Sequence, residues 1–284
     1  MVFQINLPNF LTIAIQFVLL LGSIACVHGI YQYFFGFSYT LKYLESLSLP
    51  SFELNYATNF LKEKRVFACF FSPDMLASFL AMVIALSSGF LFERLKQKGK
   101  SKKEILIPFI MILLCTFTLF FTKSIGGFLS SLLVITLFIL FFPVKKKKFI
   151  VLFAVVFLVL LLSLISGPRY RDFFDFSLKT NSILQRWLDW DTGFKIIKDF
   201  FWWGCGSGTL GIVFPAYMSK ITNPTKYLHN NYLQIWAELG IFGFITFLAI
   251  LFSFFMYGVK TLKKEVSGIE MGLFSACCIF FFKS

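Results

Sequence analysis

The sequence predicts an all-helical, polytopic membrane protein, and three observations carry that prediction. Of 284 residues, 58% are hydrophobic and only 14% charged, whereas a soluble domain carries roughly 25% charged residues. The apolar residues fall into runs comparable to the about 20 residues that cross a bilayer as one helix. The basic residues, which give a formal charge of +13, collect in short segments between those runs. Together these features exclude an ordinary cytosolic enzyme, a disordered regulator and a small disulfide-stapled secreted module.

Spanning runs are expected at about 10–35, 74–92, 105–122, 125–143, 149–166, 240–258 and 269–282, seven helices in a single membrane domain over 1–284. Thirteen of the 27 basic residues lie in 94–103, 145–148 and 260–264, after the second, fourth and sixth runs. Short basic loops stay on the cytoplasmic side, so the loops 36–73 and 167–239 are expected to face outward. The basicity reports topology, not a nucleic-acid partner. The first ten residues carry no charge and run straight into a span, and the last run is about 14 residues long, short for a crossing. The reading is of a segment of a longer protein. The six cysteines are scattered without a CxxC pair, which suggests neither a zinc site nor a disulfide framework.

The long outer loop, 167–239, is the informative region, because loops of that length in a compact bundle are usually functional. Ile183, Trp187, Trp190, Phe194, Ile197 and Phe201 recur at steps of three and four, predicting an amphipathic helix capped by Asn181 or Ser182. Arg186, Asp189, Lys195 and Asp199 fall off this stripe. The helix is expected to rest on the outer membrane surface or on the bundle and to end in the interfacial aromatics Trp202-Trp203.

Gly206-Ser207-Gly208-Thr209-Leu210-Gly211 matches GxGxxG, but a dinucleotide site needs a preceding strand and a cytoplasmic location. A tight turn explains these glycines better. His229, in Leu228-His229-Asn230-Asn231-Tyr232-Leu233-Gln234, is either a capping or interface histidine or a base for a hydroxyl nucleophile, since imidazole titrates near neutrality. His28, inside the first span, reads as a hydrogen-bonded bundle residue. Arg186, three residues before Asp189, makes either an ordinary i,i+3 ion pair or a planar fork presented to a phosphate. Arg65 closes the cluster Lys62-Glu63-Lys64-Arg65 as a solvated loop end or as a substrate-binding cation. Lys123 sits in the very short turn Thr122-Lys123-Ser124-Ile125-Gly126-Gly127, where a cation beside hydrocarbon has to snorkel or pair. No carboxylate pair, metal triad, Walker sequence or Ser-His-Asp pattern is present in the sequence.

Four segments together resemble the bacterial O-antigen ligase and polymerase-like superfamily. They are Arg65-Val66-Phe67 with Ser72-Pro73-Asp74-Met75-Leu76-Ala77; the Thr122 to Gly127 turn; Gln185-Arg186-Trp187 with Trp203-Gly204-Cys205-Gly206-Ser207-Gly208; and His229-Asn230-Asn231-Tyr232-Leu233-Gln234 running into Ala237-Glu238-Leu239-Gly240-Ile241-Phe242-Gly243. In the family the turn commonly reads Thr-x-Ser-Arg-Gly; Ile125 stands where that arginine falls, with Lys123 two residues before it.

The resemblance implies an inner-membrane, multi-pass, C-type glycosyltransferase with its site facing the periplasm. Its donor would be a glycan on an undecaprenyl diphosphate carrier and its acceptor a hydroxyl of lipid A core (ligase) or of a carrier-linked glycan (polymerase). Membrane lipid is a partner, and no metal, nucleotide or other cofactor is expected. By motif, His229 becomes the base and Arg186 the arginine that holds the diphosphate; Arg65 and Lys123 are further candidate substrate-binding cations, Lys123 as a substitute for the turn's arginine. The alternatives are a transporter or flippase subunit, or an inactive fragment. Transporters place polar groups at mid-membrane on broken helices, whereas here the polar candidates gather in the outer loops.

Overall fold

The computed structural model describes residues 7–47, 58, 61, 63–96, 102–141, 182–219, 225–264 and 267–282. The described residues are helix and connecting turn, with no strand among them. Four helical stretches, Leu11–Leu44, Pro73–Lys96, Lys103–Thr122 and Asn231–Thr261, are long and apolar enough to cross a membrane, and two shorter apolar helices accompany them. The run expected at 149–166 and the loop residues 167–181 lie outside the described residues. The chain divides into two compact units, 1–166 with 264–283, and 167–263.

In the first unit, α1 (Leu7–Tyr31) passes through a π-helical turn, Gln32–Gly36, into α2 (Phe37–Ser46). It is followed by α3 (Pro73–Lys96), α4 (Lys102–Thr122), α5 (Ile125–Phe141) and α9 (Gly268–Phe282). α3 is the central helix: fourteen of its residues are buried, among them Leu76, Leu80, Ile84 and Leu91. It packs against α4, α5 and α9. Small residues set the close approaches. A Cβ on Gly127 would strike Ala77, and one on Gly272 would meet the carbonyl oxygen of Ala85 at 3.0 Å. Without a hydrophobic drive between helices in lipid, such close backbone contact is what dispersion has to work with.

His28 is exposed on α1, not inside the bundle as its place in a span suggests. The polar residue turned inward is Gln32, the first of the π-helical turn, 7% exposed. Its Oε1 accepts from the amides of Phe67 at 3.0 Å and Ala68 at 2.9 Å, fastening the segment 65–68 to the π-helical turn. Pairing of that kind is required of loop backbone buried at a bundle end.

The second unit contains α6 (Ser182–Asp199), α7 (Leu210–Tyr217) and α8 (Asn231–Lys264). Ile196, Ile197, Leu210, Phe214, Leu228, Leu233 and Ala237 make its core. α6 begins at Ser182 as expected, but it is rotated relative to its apolar stripe. Asp189 is 5% exposed and Thr192 1%, while Trp187 is 67% and Phe194 55% exposed. At about 100° per residue the buried face is centred roughly a quarter-turn from the stripe. Gly193 explains the choice: a Cβ there would lie 2.8 Å from Leu228 Cδ1, so only that face lets the 225–230 segment seat its leucine against the helix. The stripe of Trp187 and Phe194 is left outward, where interfacial aromatics belong.

α8 is two helices joined at Gly240, which has φ +65° and ψ −170°. The break falls where the outer loop was expected to end and a span to begin. Its freed carbonyls are taken up by the glycine loop: Cys205 donates to Ala237 at 2.8 Å and Gly206 to Glu238 at 3.0 Å, while Ile241 donates to Phe201 at 2.9 Å. A helix break is tolerated in such a protein when neighbouring groups re-satisfy the backbone in this way.

Candidate functional site

In the first unit, the candidate cations Arg65 and Lys123 are brought together on one turn. The α4–α5 connection is only Lys123-Ser124, and Lys123 takes a left-handed backbone, φ +51°. Thr122 Oγ1 donates back to Leu119 at 2.7 Å, and Ser124 Oγ accepts the Gly127 amide at 3.2 Å, capping α5. Arg65 Nε donates to the Thr122 carbonyl at 3.1 Å, one residue before Lys123. Lys123 Nζ donates to the Glu63 carbonyl at 2.6 Å, two residues before Arg65. The turn and the 63–68 segment therefore hold each other.

Arg65 is 2% exposed, so it is not a solvated loop end. Its Nη2 lies 3.4 Å from both oxygens of Asp74, in the first turn of α3. Ser124 Oγ also donates to Asp74 Oδ1. Asp74 is half exposed, which leaves the open side of the cluster to a carboxylate and to Lys123. Lys123 is half-buried, and desolvation holds its ammonium below the usual lysine range, with Glu63 opposing and Arg65 and Lys64 adding to the effect. A cation already partly stripped of water gains more than a solvated one from an arriving anion.

Asp74 and Ser124 are members of this cluster that spacing along the chain did not single out. Both lie inside segments that carry the family resemblance, and a further signal was an aspartate in the first turn of a largely apolar helix, a costly placement without a partner.

In the second unit, Arg186 stands exposed on α6, one turn before Asp189. Burial pushes the Asp189 carboxyl up to about 6, against the opposing pull of Arg186. His229 is exposed and takes a left-handed backbone, φ +51°. It is fixed on both sides. Leu228 before it is fully buried, and Asn230 after it caps α8, its Oδ1 accepting the amides of Tyr232 at 3.0 Å and Leu233 at 3.2 Å. The imidazole is thus presented from a strained residue between two anchors, an arrangement frequent at functional sites.

Residues 206–209 of the GxGxxG stretch form a turn, and Leu210 and Gly211 open α7. Gly204, Gly206 and Gly208 all have positive φ, and the Gly208 amide donates to Glu238 Oε2 at 3.0 Å. The amides of Gly206 and Gly208 are spent on the backbone and side chain of Glu238, and that of Thr209 on the Gly206 carbonyl. Among the described residues no cluster of three or more His, Cys, Asp or Glu could hold a metal ion.

A membrane protein built of apolar helices, with its polar candidates at helix ends and on a broken-helix unit, is the class this architecture defines. Residues 110–248, just under half of the chain, match the model of the family described as O-antigen ligase, so this region is similar to that family. It spans Lys123, Arg186 and His229. A curated protein of Haemophilus influenzae, described only as uncharacterized, is 26% identical over 186 residues, covering 58% of this chain and 46% of its own length. The chain thus matches less than half the length of that relative. No solved structure matches the chain.

Proposed function

We propose that this chain carries the catalytic region of a membrane glycosyltransferase that moves a glycan from an undecaprenyl diphosphate carrier to an acceptor hydroxyl on the periplasmic side. The family match over 110–248 supports this reading more than any other observation, because it spans three of the four candidate site residues. In the reaction, the acceptor oxygen attacks the anomeric carbon. The bond from that carbon to the carrier diphosphate breaks, and its electron pair leaves on the phosphate oxygen. His229 takes the acceptor proton. Cations stabilise the charge that builds on the leaving diphosphate, and Arg186 and Lys123 are each a candidate for that role. Arg65, buried behind the turn, acts on substrate through the placement of Lys123. Lipid A core or a second carrier-linked glycan is the acceptor, and membrane lipid surrounds the site.

The test is complementation of a deletion strain. His229→Ala and Arg186→Ala should each abolish glycan attachment or elongation while the protein stays in the membrane; normal surface glycan in either variant removes that residue from the mechanism. A gel of the deletion strain's surface polysaccharide distinguishes the two acceptors. Lipid core without polymer indicates ligation, whereas core carrying a single repeat indicates polymerisation.

A further inference from the structure

In the first unit, α1 and α4 meet through sulfur. Cys26 on α1 and Cys115 on α4 are both fully buried, and the Cys26 thiol donates to Cys115 Sγ at 3.7 Å. One turn away on the same two helices, Ser23 Oγ lies 3.2 Å from Met111 Sδ, and Met111 is itself buried. Steps of three on α1 and four on α4 keep each pair on one helix face, so Met111 and Cys115 face α1 together. Ser23 Oγ also donates to the Leu19 carbonyl at 2.9 Å, so the hydroxyl keeps a partner when the thioether is engaged elsewhere. A crevice of about 370 Å³ between α1, α3 and α4 is lined by Ser23 and Met111, which gives the sulfur cluster an approach. Buried thiols are commonly inert filling. Filling does not require two thiols in contact, a thioether one turn away and a crevice that reaches it.

We infer that Cys26, Cys115 and Met111 form a binding site for a soft monovalent metal ion of the Cu(I) class, which ties α1 to α4. A metal–sulfur bond of about 2.3 Å lets one ion reach two sulfurs up to about 4.6 Å apart, so thiols at 3.7 Å need no approach of the helices. Ligand type selects the ion. Thiolate and thioether favour Cu(I), whereas hard cations need oxygen. Structural zinc takes four ligands in a tetrahedron, and Cys26, Met111 and Cys115 are the only cysteines and methionine on these two helices. Burial selects the charge. The ion bonds to both Sγ atoms and to Sδ, and one S–H breaks, its proton leaving by the crevice. The thiolate so formed and the monovalent ion cancel in charge, as an apolar interior requires, while the second thiol and the thioether donate as neutral sulfurs. The site takes no part in glycan transfer, so it stands independently of the function proposed above.

Native mass spectrometry tests it on the full chain with Cys69, Cys205, Cys277 and Cys278 replaced by alanine, which leaves this thiol pair as the only one to read. Given Cu(I) under ascorbate or Zn(II), each against a competing chelator, that chain should retain one copper ion and no zinc. Cys26→Ala and Cys115→Ala in the same background should each lose the copper. Met111→Leu, close in volume, should weaken retention by at least about tenfold, the least that losing even an outer-sphere partner costs. Because that background carries four substitutions, the wild-type chain gives a second reading. Cu(I) should raise its melting midpoint, as an ion bound to the folded state alone must, and should leave that of Cys26→Ala unmoved. No copper on the pair-only chain, zinc retained as well as copper, retention unchanged in any of the three variants, or equal melting shifts in wild type and Cys26→Ala would overturn the assignment.

Discussion

The Cys205 amide donates to the Ala237 carbonyl at 2.8 Å, and around that bond two glycines face each other with no room for a side chain. A Cβ on Gly240 would fall on the Trp202 carbonyl oxygen, and a Cβ on Gly204 on that of Glu238. Both residues also have positive φ, +65° and +73°, where an L side chain costs about 1–2 kcal/mol. Gly240→Ala and Gly204→Ala should each disrupt the break, lowering the thermal midpoint in detergent by several degrees. Gly208 has the same sign of φ but open space at its Cβ, so Gly208→Ala should lose only the backbone cost. If all three variants melt alike, the close packing of the glycine loop is not what holds α8 broken.

The clasp of Arg65 on Asp74 makes an asymmetric prediction. Arg65 is buried and serves both the Thr122 carbonyl and the carboxylate, whereas Asp74 is half exposed and keeps its Ser124 bond. Arg65→Ala leaves a buried carbonyl and a carboxylate to find water, a loss of about 1–3 kcal/mol. Asp74→Asn keeps an acceptor for Ser124 and loses only charge, so it should cost less. Chemical denaturation of the purified chain gives both values, and a larger loss for Asp74→Asn would contradict the assignment of Arg65 as the tie.

The elements that the sequence shows clearly are those fixed by one-dimensional apolar content. The runs expected at 74–92 and 105–122 are found within Pro73–Lys96 and Lys102–Thr122, because span length depends on bilayer thickness alone, and of the run expected at 125–143 the described part is the shorter apolar helix Ile125–Phe141. The turn reading of the glycines was likewise legible at Gly206 and Gly208, the two of that stretch with positive φ. Rotation of α6 was not. Membrane surface gives an aromatic stripe two acceptable neighbours, protein or lipid headgroups, and the fit of Leu228 into the Gly193 gap decided between them. Nor was the Asp74–Ser124 contact legible. Fifty residues separate the pair, and no periodicity reports on a contact made by the packing of two different helices.

Asp189 supplies a pH dependence. Its carboxyl is pushed up to about 6 from an ordinary 3.8, chiefly by burial. The fold therefore disfavours the charged form, and above pH about 6 that cost is fully present. As pH falls through 6 toward about 4, the folded chain takes up a proton before the unfolded chain does, and the cost disappears. Asp189→Asn removes the group and the dependence with it. Melting in detergent should show the variant more stable than wild type at pH 7.5 and the gap closing by pH 4.5. A gap that widens on acidification would mean that Arg186, not desolvation, governs this carboxyl.

Lys123 offers the sharpest separation of fold from chemistry. Its left-handed backbone is one that asparagine tolerates well, so Lys123→Asn deletes the cation while leaving the turn able to form. Protein level should stay at the wild-type value and the melting temperature should fall only slightly, through the lost Glu63 bond, while glycan transfer in the complemented strain falls at least about tenfold, the lower range for losing one fixed stabiliser of developing charge. Lys123→Arg should retain most activity. Position 125, half-buried at the start of α5, is where the related turns carry their arginine, so Ile125→Arg added to Lys123→Asn should return the charge to the same rim and recover transfer. Full activity in Lys123→Asn alone, or no recovery in the double variant despite normal protein level, would show that this turn does not address the diphosphate.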